Sequence, residues 1–508
     1  MRAHYYYHNF VVLLLVFSIT LLVLLWKQLT RKNRNGRLPP GPRRIPLIGN
    51  LHQLGGGSPH VSLKRLSDEY GPLMFLKLGS IPTLVVSSRD MAKEILKTHD
   101  LVLTNRPMFY APTKISYGGS DIAFARYGEH WREVKKIAVL ELLSAKRVLS
   151  YRAVREKETS LVIDFVRTSA SSSVPINLSE IFLCLISNVV CQVAFGMKFE
   201  AEKGYEAGLS NLYMMLLETQ NLLAGFNTGD LFPWMSWIHK FDGLETRLEK
   251  NFRQADKFYE QVFNEHVNRN KSSKTGVEDF VDVLLRTQTD PSYNISLTKD
   301  HIKGILMDIF VAGSDPAAAT LVWSMTELIK NSTVMKIARE EVRTKIGTKK
   351  MVEESDLHKL SYTKLVIKEA LRLHPPAPLL LRETNEACTI NGYEIPVKTK
   401  VIINGNAVST DPKYWENPEE FQPERFLNNI SDFKGQDFEM LPFGGGRRGC
   451  PGMNFAAVLV ELVLANFLHC FDWKLPCGMK AEDIHMKEAS GLTMHKKVPL
   501  CLLASIRK

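Results

Sequence analysis

The chain of 508 residues is 45% hydrophobic and 23% charged, which is ordinary for a folded protein with a large core and excludes a disordered or low-complexity chain. Its net charge of +11, from 65 basic and 54 acidic residues, is not accompanied by a recognised nucleic-acid-binding motif. The seven cysteines are scattered and odd in number, which argues against a disulfide framework and is typical of a reducing compartment. The composition therefore predicts a folded protein that does not bind nucleic acid.

The N-terminus combines an apolar run with a basic cluster. Residues 10–26 contain only Ser18 and Thr20 as polar side chains, a length at the short edge of a membrane-spanning helix. Five Lys and Arg residues follow within residues 27–37, whereas Arg2 alone precedes the run, so the rest of the chain is expected on the cytoplasmic side. A cleaved signal peptide is the alternative, but no A-x-A-like site precedes the basic cluster. We expect an uncleaved anchor over residues 1–30 that crosses a membrane once.

A hinge and one large domain follow the anchor. Residues 31–59 are basic and contain LPPGP at 38–42, in which stacked prolines stiffen the chain. Residues 60–508 show no linker or repeat and are predicted to form one domain. Strand-like sequence occurs at 73–87 and 387–403, and helical periodicity dominates elsewhere, at 90–97, 130–142, 179–195, 244–268, 299–330 and 362–373. This pattern predicts a mainly α fold with small β-sheets.

The sequence PFGGGRRGCPG at 442–452 places one cysteine between a glycine-rich loop and a helix-start signal. Pro451 suits the first helical position, and the apolar residues 454–468 supply the predicted helix. A thiolate at Cys450 would face the positive end of that helix and glycine N–H groups, both of which lower the pKa of a thiol. A lone thiolate suits an axial haem ligand better than a zinc site, which needs four ligands.

Five residues of this stretch match F-x-x-G-x-R-x-C-x-G, the cysteine-loop pattern of the cytochrome P450 family, namely Phe443, Gly446, Arg448, Cys450 and Gly452. The resemblance implies the P450 fold and a haem b cofactor with Cys450 as the axial iron ligand. It also implies that Phe443, Gly444, Arg448 and Gly452 contact the cofactor. A dinucleotide-binding loop and a buried structural cysteine are the alternatives, and the first lacks a preceding strand and a following acidic residue.

A second motif lies on the helix predicted at 362–373. Glu369 and Arg372 stand three residues apart and therefore share a face. They resemble the family's E-x-x-R pair, and Arg425, in FQPERF at 421–426, resembles the arginine that joins this pair. The resemblance implies a buried structural network that supports the haem-binding region. The alternative is a solvated surface bridge, which contributes little.

Three other residues resemble family contacts to the haem propionates. Trp131 and Lys135 lie in WREVKK at 131–136. Relatives commonly carry arginine in place of Lys135, and a lysine pairs with a carboxylate without the bidentate fork. Arg382 follows HPPAPLLL at 374–381, whose prolines end the preceding helix. We therefore expect Trp131, Lys135 and Arg382 to bind the cofactor.

The sequence AGSDP at 312–316 resembles the oxygen-binding segment of the family's central helix. The resemblance implies that Ser314 and Asp315 are catalytic, with Asp315 relaying protons to dioxygen. Pro316 stands where relatives usually carry threonine, and a proline removes a helix hydrogen bond and clashes with the carbonyl of Ala312. Two interpretations remain open: a tolerated kink in an ordinary monooxygenase, or altered chemistry such as oxidative ring formation or an oxygen-independent isomerisation or dehydration.

The resemblance covers residues 38–505 and is greatest to plant microsomal members of specialised metabolism. It implies a monooxygenase that hydroxylates or cyclises a small apolar terpenoid, alkaloid or phenylpropanoid. A non-enzymatic haem sensor or electron carrier is a third class. It is disfavoured by the largely apolar segments that are expected to line a substrate pocket, namely 106–117, 222–234, 309–314, 377–381 and 491–493. Five residues are expected to contact the substrate: Phe109, Phe226, Ala312, Leu379 and Leu492.

The family resemblance also implies a partner. Electrons would come from NADPH through NADPH–cytochrome P450 reductase, an acidic flavoprotein that would dock on a basic face. An anionic membrane surface and this partner explain the excess of basic residues. The expected docking residues are Lys135, Lys136, Lys146, Arg147 and Arg447.

Overall fold

The computed structural model describes residues 12–23, 38–55, 57–171, 174–197, 211–224, 227–269, 278–427, 432–476, 478–489 and 491–507. Helices dominate these residues, and four small sheets accompany them. The fold is therefore mainly α with small β-sheets, as the sequence predicted.

The α-helices of the described chain are α1 (Val12–Val23), α2 (Pro59–Tyr70), α3 (Arg89–Lys93), α4 (Tyr110–Ile115), α5 (Glu129–Ile137), α6 (Ala145–Ser150), α7 (Arg152–Ala170), α8 (Leu178–Phe195), α9 (Asn211–Leu223), α10 (Thr228–Leu231), α11 (Leu244–Arg269), α12 (Phe280–Gln288), α13 (Lys299–Lys330), α14 (Ser332–Ile346), α15 (Ser361–Leu373), α16 (Gly405–Ser409) and α17 (Met453–Cys470). Single π-helical turns, Glu94–Thr98 and Ala138–Leu142, continue α3 and α5.

The strands are β1 (Leu73–Leu78), β2 (Ile81–Val86), β3 (Ile176–Asn177), β4 (Leu379–Glu383), β5 (Cys388–Ile390), β6 (Tyr393–Ile395), β7 (Lys400–Asn404), β8 (Phe471–Lys474), β9 (Glu488–Ala489), β10 (His495–Lys496) and β11 (Cys501–Ile506). The largest sheet has the order β1-β2-β7-β4, in which β2 and β7 are parallel and the other pairs are antiparallel. Buried apolar side chains pack on both of its faces. This sheet positions the chain from Leu379 to Glu383 beside the loop at Asn105, which pairs with Glu383.

The long helix α13 runs through the main core. The Thr298 hydroxyl accepts a hydrogen bond from the backbone N–H of His301 at 3.2 Å and so caps its start. Almost every side chain from Ile302 to Leu328 is buried, against α8, α15 and α17 among others. The helix continues through Pro316 without ending. The predicted bounds, 299–330, agree with the structure.

Three helices, α8, α13 and α17, are long and apolar enough to cross a membrane, but most of each is buried inside the protein. They are core helices, because a membrane span would expose its side chains to lipid. The helix α1 is apolar and shorter than a bilayer-spanning helix. Residues 1–11 and 24–37, which the predicted anchor and hinge also include, lie outside the described residues.

One helix start differs from the prediction. The helix α17 begins at Met453, and Pro451 lies in the turn before it. Gly452 caps the helix with φ −87° and ψ 5°, which are not helical values, and the N–H groups of Gly452 and Met453 point toward the Cys450 sulfur. The remaining predicted helices and both strand regions occur where the sequence placed them.

Candidate cofactor and oxygen site

The loop before α17 holds Cys450 in a fixed turn. The backbone N–H of Cys450 donates to the carbonyl of Phe443 at 2.9 Å, which closes the loop around a single 3-10 turn at Gly446–Arg448. Phe443 packs against Phe433 with ring centroids 5.5 Å apart. The sulfur therefore projects from a loop that is closed by backbone hydrogen bonds and seated on an aromatic contact.

Two glycines of this loop are required by its geometry. Gly446 has φ +64°, and a Cβ there would lie 2.4 Å from the Asp100 carboxylate and 2.7 Å from the Leu96 carbonyl. Gly444 has φ +69°, a conformation that side chains disfavour. Gly452 is different, since a Cβ there would meet only the Cys450 sulfur, at 3.9 Å. Tight backbone packing therefore explains the glycine at 446 and a positive φ explains the one at 444, whereas an ordinary contact of 3.9 Å does not require glycine at 452.

The Cys450 side chain is accessible, because it borders a cavity of about 310 Å³ that also reaches Phe443, Gly444 and Met453. Burial among the surrounding atoms raises the pKa of the Cys450 thiol above its ordinary value. The N–H of Gly452, the charge of Lys135 and the N–H of Met453 lower it by less. The expected net lowering of this pKa is therefore wrong for the protein alone, although the helix N–H groups do point at the sulfur as predicted. A bound cation is needed to favour the thiolate fully.

Three arginines near this loop carry positive charges that nearby carboxylates offset only in part. Arg382 and Arg448 are buried and Arg106 is partly buried, and none forms an ion pair within the described residues. Burial lowers the pKa of Arg106 to about 10 and that of Arg448 to about 9. Burial and repulsion from the other two arginines hold the pKa of Arg382 well below its usual range. The Arg382 Nε also has no hydrogen-bond partner among the described residues.

Such a cluster of unpaired cations fits a ligand that carries carboxylates. A buried charge is costly unless an opposite charge pairs with it. A haem brings two propionates, so the residues present fit this cofactor by their charge as well as by the thiol of Cys450. Arg106, Arg382 and Arg448 could hold the propionates.

Trp131 and Lys135 contact protein groups instead of an open site. The Trp131 indole N–H donates to the Ile122 carbonyl at 3.0 Å, and the Arg448 guanidinium lies 4.1 Å from the centre of the Trp131 ring. Lys135 Nζ donates to the Gly449 carbonyl at 2.6 Å, next to Cys450. Burial lowers the pKa of Lys135 to about 8, while the Cys450 sulfur raises it. In this structure the two residues contact Arg448 and the cysteine loop, and their binding to a haem propionate stays a prediction.

The loop at 121–125 connects these cations to α13. Its carbonyls accept from the arginines, with Arg106 Nε bonded to Ala123 at 3.0 Å and Arg448 Nη2 bonded to Ala125 at 2.7 Å. The Asp308 carboxylate of α13 holds the loop by accepting from the N–H of Ile122 at 2.6 Å and of Ala123 at 3.0 Å. Asp308 on α13 therefore holds the loop to which Arg106 and Arg448 are bonded.

The middle of α13 opens onto an internal space. Ala312 is exposed, and Ile309, Gly313 and Pro316 are partly exposed, although the residues around them are buried. Their spacing places all four on one helix face. Pro316 has no N–H to donate to the Ala312 carbonyl, which therefore remains available to a water or a substrate. A Cβ on Gly313 would lie 3.3 Å from Val190, so α8 limits the space behind this face.

Ser314 and Asp315 lie beside that face and are buried. The Ser314 hydroxyl has no hydrogen-bond partner within the described residues. The Asp315 Oδ1 lies 2.8 Å from Nε2 of His495, which belongs to β10. Asp315 thus reaches a titratable group that is 180 residues away in the sequence.

The structure brings Glu369, Arg372 and Arg425 into one network. Arg372 donates to both Glu369 oxygens at 2.8 Å, and Arg425 Nε donates to Oε1 of Glu369 at 2.9 Å. The side chains of Glu369 and Arg372 are fully buried, and Arg425 is 9% exposed. The network is buried and fully paired, so the surface-bridge alternative does not apply. Both arginines also donate to the Glu420 carbonyl, which fixes the chain before Phe421.

The expected substrate contacts are only partly gathered around α13. Backbone hydrogen bonds join Glu383 to Asn105 and Met494 to Pro376, each at 2.9 Å, so the 105–123 loop, β4 and the β9–β10 hairpin surround the same region. Leu379, Leu492 and Ala312 are accessible there. Phe109 is buried beneath Lys400, whose Nζ lies 4.3 Å from the ring centre. Phe226 lies outside the described residues.

Arg106, Asp308 and His495 were not identified from the sequence. No local pattern distinguishes them, because each acts on a partner far away in the chain. Arg106 bonds to the Leu381 carbonyl 275 residues away, and Asp308 bonds to the loop 186 residues before it. The available signal was the position of Arg106 at the start of the segment 106–117, which was expected to line the substrate region, whereas His495 lies just outside the segment 491–493.

Comparisons with known proteins identify the family of this chain. The cytochrome P450 family model matches residues 39–502. Cytochrome P450 71A9 of Glycine max is 55% identical over 499 residues, and strychnine-11-hydroxylase of Strychnos nux-vomica is 53% identical over 505 residues, with 98% of each chain covered in both cases. A zebrafish cytochrome P450, solved with abiraterone, has a TM-score of 0.73 at 23% identity and covers 89% of this chain and 100% of its own. The last comparison is one of fold alone.

Proposed function

Since the chain belongs to the cytochrome P450 family, we propose that it is a haem-thiolate monooxygenase that uses NADPH and dioxygen to oxidise a small apolar specialised metabolite. The single observation that carries this proposal is the coincidence of Cys450 with the cluster of Arg106, Arg382 and Arg448. A sulfur ligand and three cations without an ion-pair partner among the described residues suit the iron and the two propionates of one haem b. When bound, the haem supplies the iron chemistry that activates dioxygen.

The remaining site residues have separate tasks in this proposal. Cys450 binds the iron, and Lys135, Gly444 and Gly452 keep its loop in place, with Phe443 packed beneath it. Trp131 packs against the Arg448 guanidinium and orients it, so Trp131 acts on the cofactor indirectly, through Arg448. The network of Glu369, Arg372 and Arg425 supports the chain that precedes the cysteine loop. These assignments follow from the contacts of each side chain.

The helix α13 supplies the residues that would surround dioxygen and deliver protons to it. Ala312 and Gly313 are small, so they leave room for dioxygen and substrate close to the iron. Oδ1 of Asp315 lies next to a proton donor, the imidazole of His495. Ser314, which carries a hydroxyl, directly precedes Asp315 in the sequence. Because Pro316 leaves the Ala312 carbonyl without a helix partner, a water can bind between this carbonyl and the acid. We propose that Asp315 delivers protons through such a water while Ser314 assists.

The substrate is an apolar specialised metabolite, and among alkaloids, terpenoids and phenylpropanoids we favour an alkaloid. Leu379, Leu492 and Ala312 are expected substrate contacts that are at least partly exposed, and these apolar side chains would suit an apolar ring system. The 53% identity with strychnine-11-hydroxylase supports the alkaloid class. Hydroxylation is the expected reaction, since the cofactor and acid machinery is complete.

The proposed electron donor and the proposed cellular location of the protein also rest on its family. NADPH–cytochrome P450 reductase is the proposed partner, docking on exposed Lys136, Lys146 and Arg447. Of the other docking residues expected from the sequence, Lys135 turns inward to Gly449 and Arg147 is only partly exposed. We propose that residues 1–30 anchor the protein in the endoplasmic reticulum membrane, with the haem domain on the cytoplasmic side.

One observation favours a second function. Pro316 removes the hydroxyl that usually assists proton delivery, which an oxygen-independent haem isomerase or dehydratase would not need. Such an enzyme would turn over its substrate without NADPH or dioxygen. The ion pair that keeps Asp315 supplied with a proton donor favours the monooxygenase.

The test is turnover by the full-length protein reconstituted with a plant P450 reductase. A panel of alkaloids, terpenoids and phenylpropanoids is supplied with and without NADPH and dioxygen, and products are identified by mass spectrometry. We expect a product that gains one oxygen atom and requires both co-substrates. Product formation in the absence of NADPH or dioxygen would support the isomerase or dehydratase instead.

A further inference from the structure

The ion pair between His495 and Asp315 links the interior of α13 to an accessible side chain. His495 Nε2 and Asp315 Oδ1 are 2.8 Å apart, and the side chains are 38% and 2% exposed, respectively. The second carboxylate oxygen, Oδ2, is buried and has no hydrogen-bond partner among the residues that the structure describes. One oxygen of Asp315 thus faces a proton donor, while the other is left for a further partner.

The fold holds His495 in this position. Its neighbour Met494 donates its N–H to the Pro376 carbonyl at 2.9 Å and accepts the indole N–H of Trp323 at 2.9 Å. Trp323 is itself on α13, two turns after Asp315. The hairpin of β9 and β10 is therefore fastened to the same helix that carries the acid, so the 2.8 Å contact does not depend on His495 alone.

We propose that His495 is the proton donor to Asp315 during oxygen activation, taking over a role that a hydroxyl at position 316 would otherwise share. This inference rests on the proposed monooxygenase function and deepens it. The observations that carry it are the direct contact, the difference in accessibility across the pair and the absence of a hydroxyl at Pro316. An imidazole suits the task because it titrates near neutral pH.

The proton balance is closed. Insertion of one oxygen atom converts substrate RH, dioxygen, two protons and two electrons into ROH and water, and NADPH supplies the electrons through the reductase. For each proton, the Nε2–H bond of the His495 imidazolium breaks and an O–H bond forms on Asp315. Asp315 then releases that proton toward the dioxygen being reduced, and the neutral imidazole takes up a proton from water.

The charges around the hairpin agree with this role. Burial lowers the pKa of His495, but the hydrogen bond and the charge of Asp315 raise it by more, so the net pKa is raised. The other charged groups packed nearby have partners of their own: Glu488 with His60 at 3.0 Å, Glu327 with His374 at 2.7 Å, and Lys496 with the Val498 carbonyl at 2.9 Å. Asp315 is the charged group that directly contacts His495.

The test compares His495→Gln with wild type as reductase-coupled holoenzymes. Glutamine can still donate to Asp315 but does not titrate. We expect the product formed per NADPH consumed to fall roughly tenfold, with a matching rise in hydrogen peroxide. This loss is smaller than the ~10²–10⁴-fold effect of removing a general acid, because water reaches the pair. Introducing Pro316→Thr into His495→Gln should restore much of the coupling.

The matched control is His60→Gln, which breaks the ion pair of the same hairpin with Glu488 without touching Asp315. If His60→Gln uncouples the enzyme as strongly as His495→Gln, the hairpin matters only structurally and the relay is wrong. In an Asp315→Asn background, His495→Gln should have no further effect, and an additional loss of coupling would also overturn the proposal. The reduced carbon monoxide spectrum confirms haem loading in each variant, and His495→Asn replaces the glutamine if that variant loads poorly.

A stability measurement gives a readout apart from turnover. A group whose folded pKa is raised stabilises the fold below its unfolded pKa of about 6.5 and loses that contribution as pH rises through the folded value. The Tm of ferric wild type should therefore exceed that of His495→Gln most at about pH 6, and the two should converge at alkaline pH. The product formed per NADPH consumed by the wild type should also fall as pH rises through this range, while that of His495→Gln should not change with pH. A pH-independent Tm difference would refute the charged pair. If wild type itself turns over without NADPH, the proposed function fails instead.

Discussion

Pro316 is the residue at which this chain departs most from its family pattern. We expect Pro316→Thr alone to leave the product unchanged and to keep or improve coupling, because the threonine adds a hydroxyl and a helix N–H while Asp315 and His495 remain in place. The measurement is product identity together with NADPH consumed per product. A switch to a different product class would show that Pro316 sets the chemistry.

Arg382 provides the sharpest residue-scale test of the cofactor site. Arg382→Gln should lower the haem bound per protein severalfold, because a buried cation that would pair with a propionate is lost. The pyridine haemochrome assay measures the haem content. The matched control is Arg126→Gln, since Arg126 is half exposed and pairs with Glu383. Equal haem content in both variants would remove Arg382 from the site.

At the scale of elements, the Glu369 network ties α15 to the chain before the cysteine loop. Glu369→Ala leaves Arg372 and Arg425 without their carboxylate, so we expect a loss of about 3–5 kcal/mol in the free energy of unfolding and little haem-loaded protein. Glu419→Ala is the control, because Glu419 is 73% exposed and its pair with Lys64 should contribute at most about 1 kcal/mol. Urea unfolding followed by haem absorbance measures both variants. Equal midpoints would argue against a stabilising network.

Some features of the helices and loops could be predicted from the sequence, and others could not. The bounds of α13 and the shared helix face of Glu369 and Arg372 follow from local signals, namely a capped run of buried residues and a helical spacing of three. The place of Arg425 in the network was implied by the family resemblance alone, because no local spacing joins residues 369 and 425. The partners of Trp131 and Lys135 do not follow from local signals, since their donors are bonded to the backbone carbonyls of Ile122 and Gly449. Backbone acceptors leave no trace in a sequence pattern. His495 was likewise invisible, because only the folded hairpin brings it to Asp315.

At the scale of the whole molecule, an exposed apolar surface supports membrane contact beyond the anchor. Trp234, Trp237 and Phe241 are 65%, 58% and 79% exposed around the 3-10 segment Pro233–Lys240. Such clustered aromatic side chains suit the membrane interface. The surface lies near the chain that packs on β1 and β2, since Ser80 bonds to the Leu231 carbonyl at 2.9 Å.

Deletion of residues 1–30 should therefore reduce membrane association without abolishing it and without loss of haem. Adding Trp234→Ser and Trp237→Ser to this deletion should release the protein into the soluble fraction. Sedimentation after a carbonate wash, with haem content measured in each fraction, tests both steps. Full retention in the membrane after the deletion would contradict a single anchor.

The central claim is that Cys450 ligates a haem iron through its thiolate. The most direct measurement is the reduced carbon monoxide difference spectrum of wild type, Cys450→Ala and Cys388→Ala, the last being a partly buried cysteine far along the chain from the loop. We predict the long-wavelength thiolate-type band in wild type and in Cys388→Ala, and its complete loss in Cys450→Ala. A thiolate-type band that survives in Cys450→Ala would contradict the account.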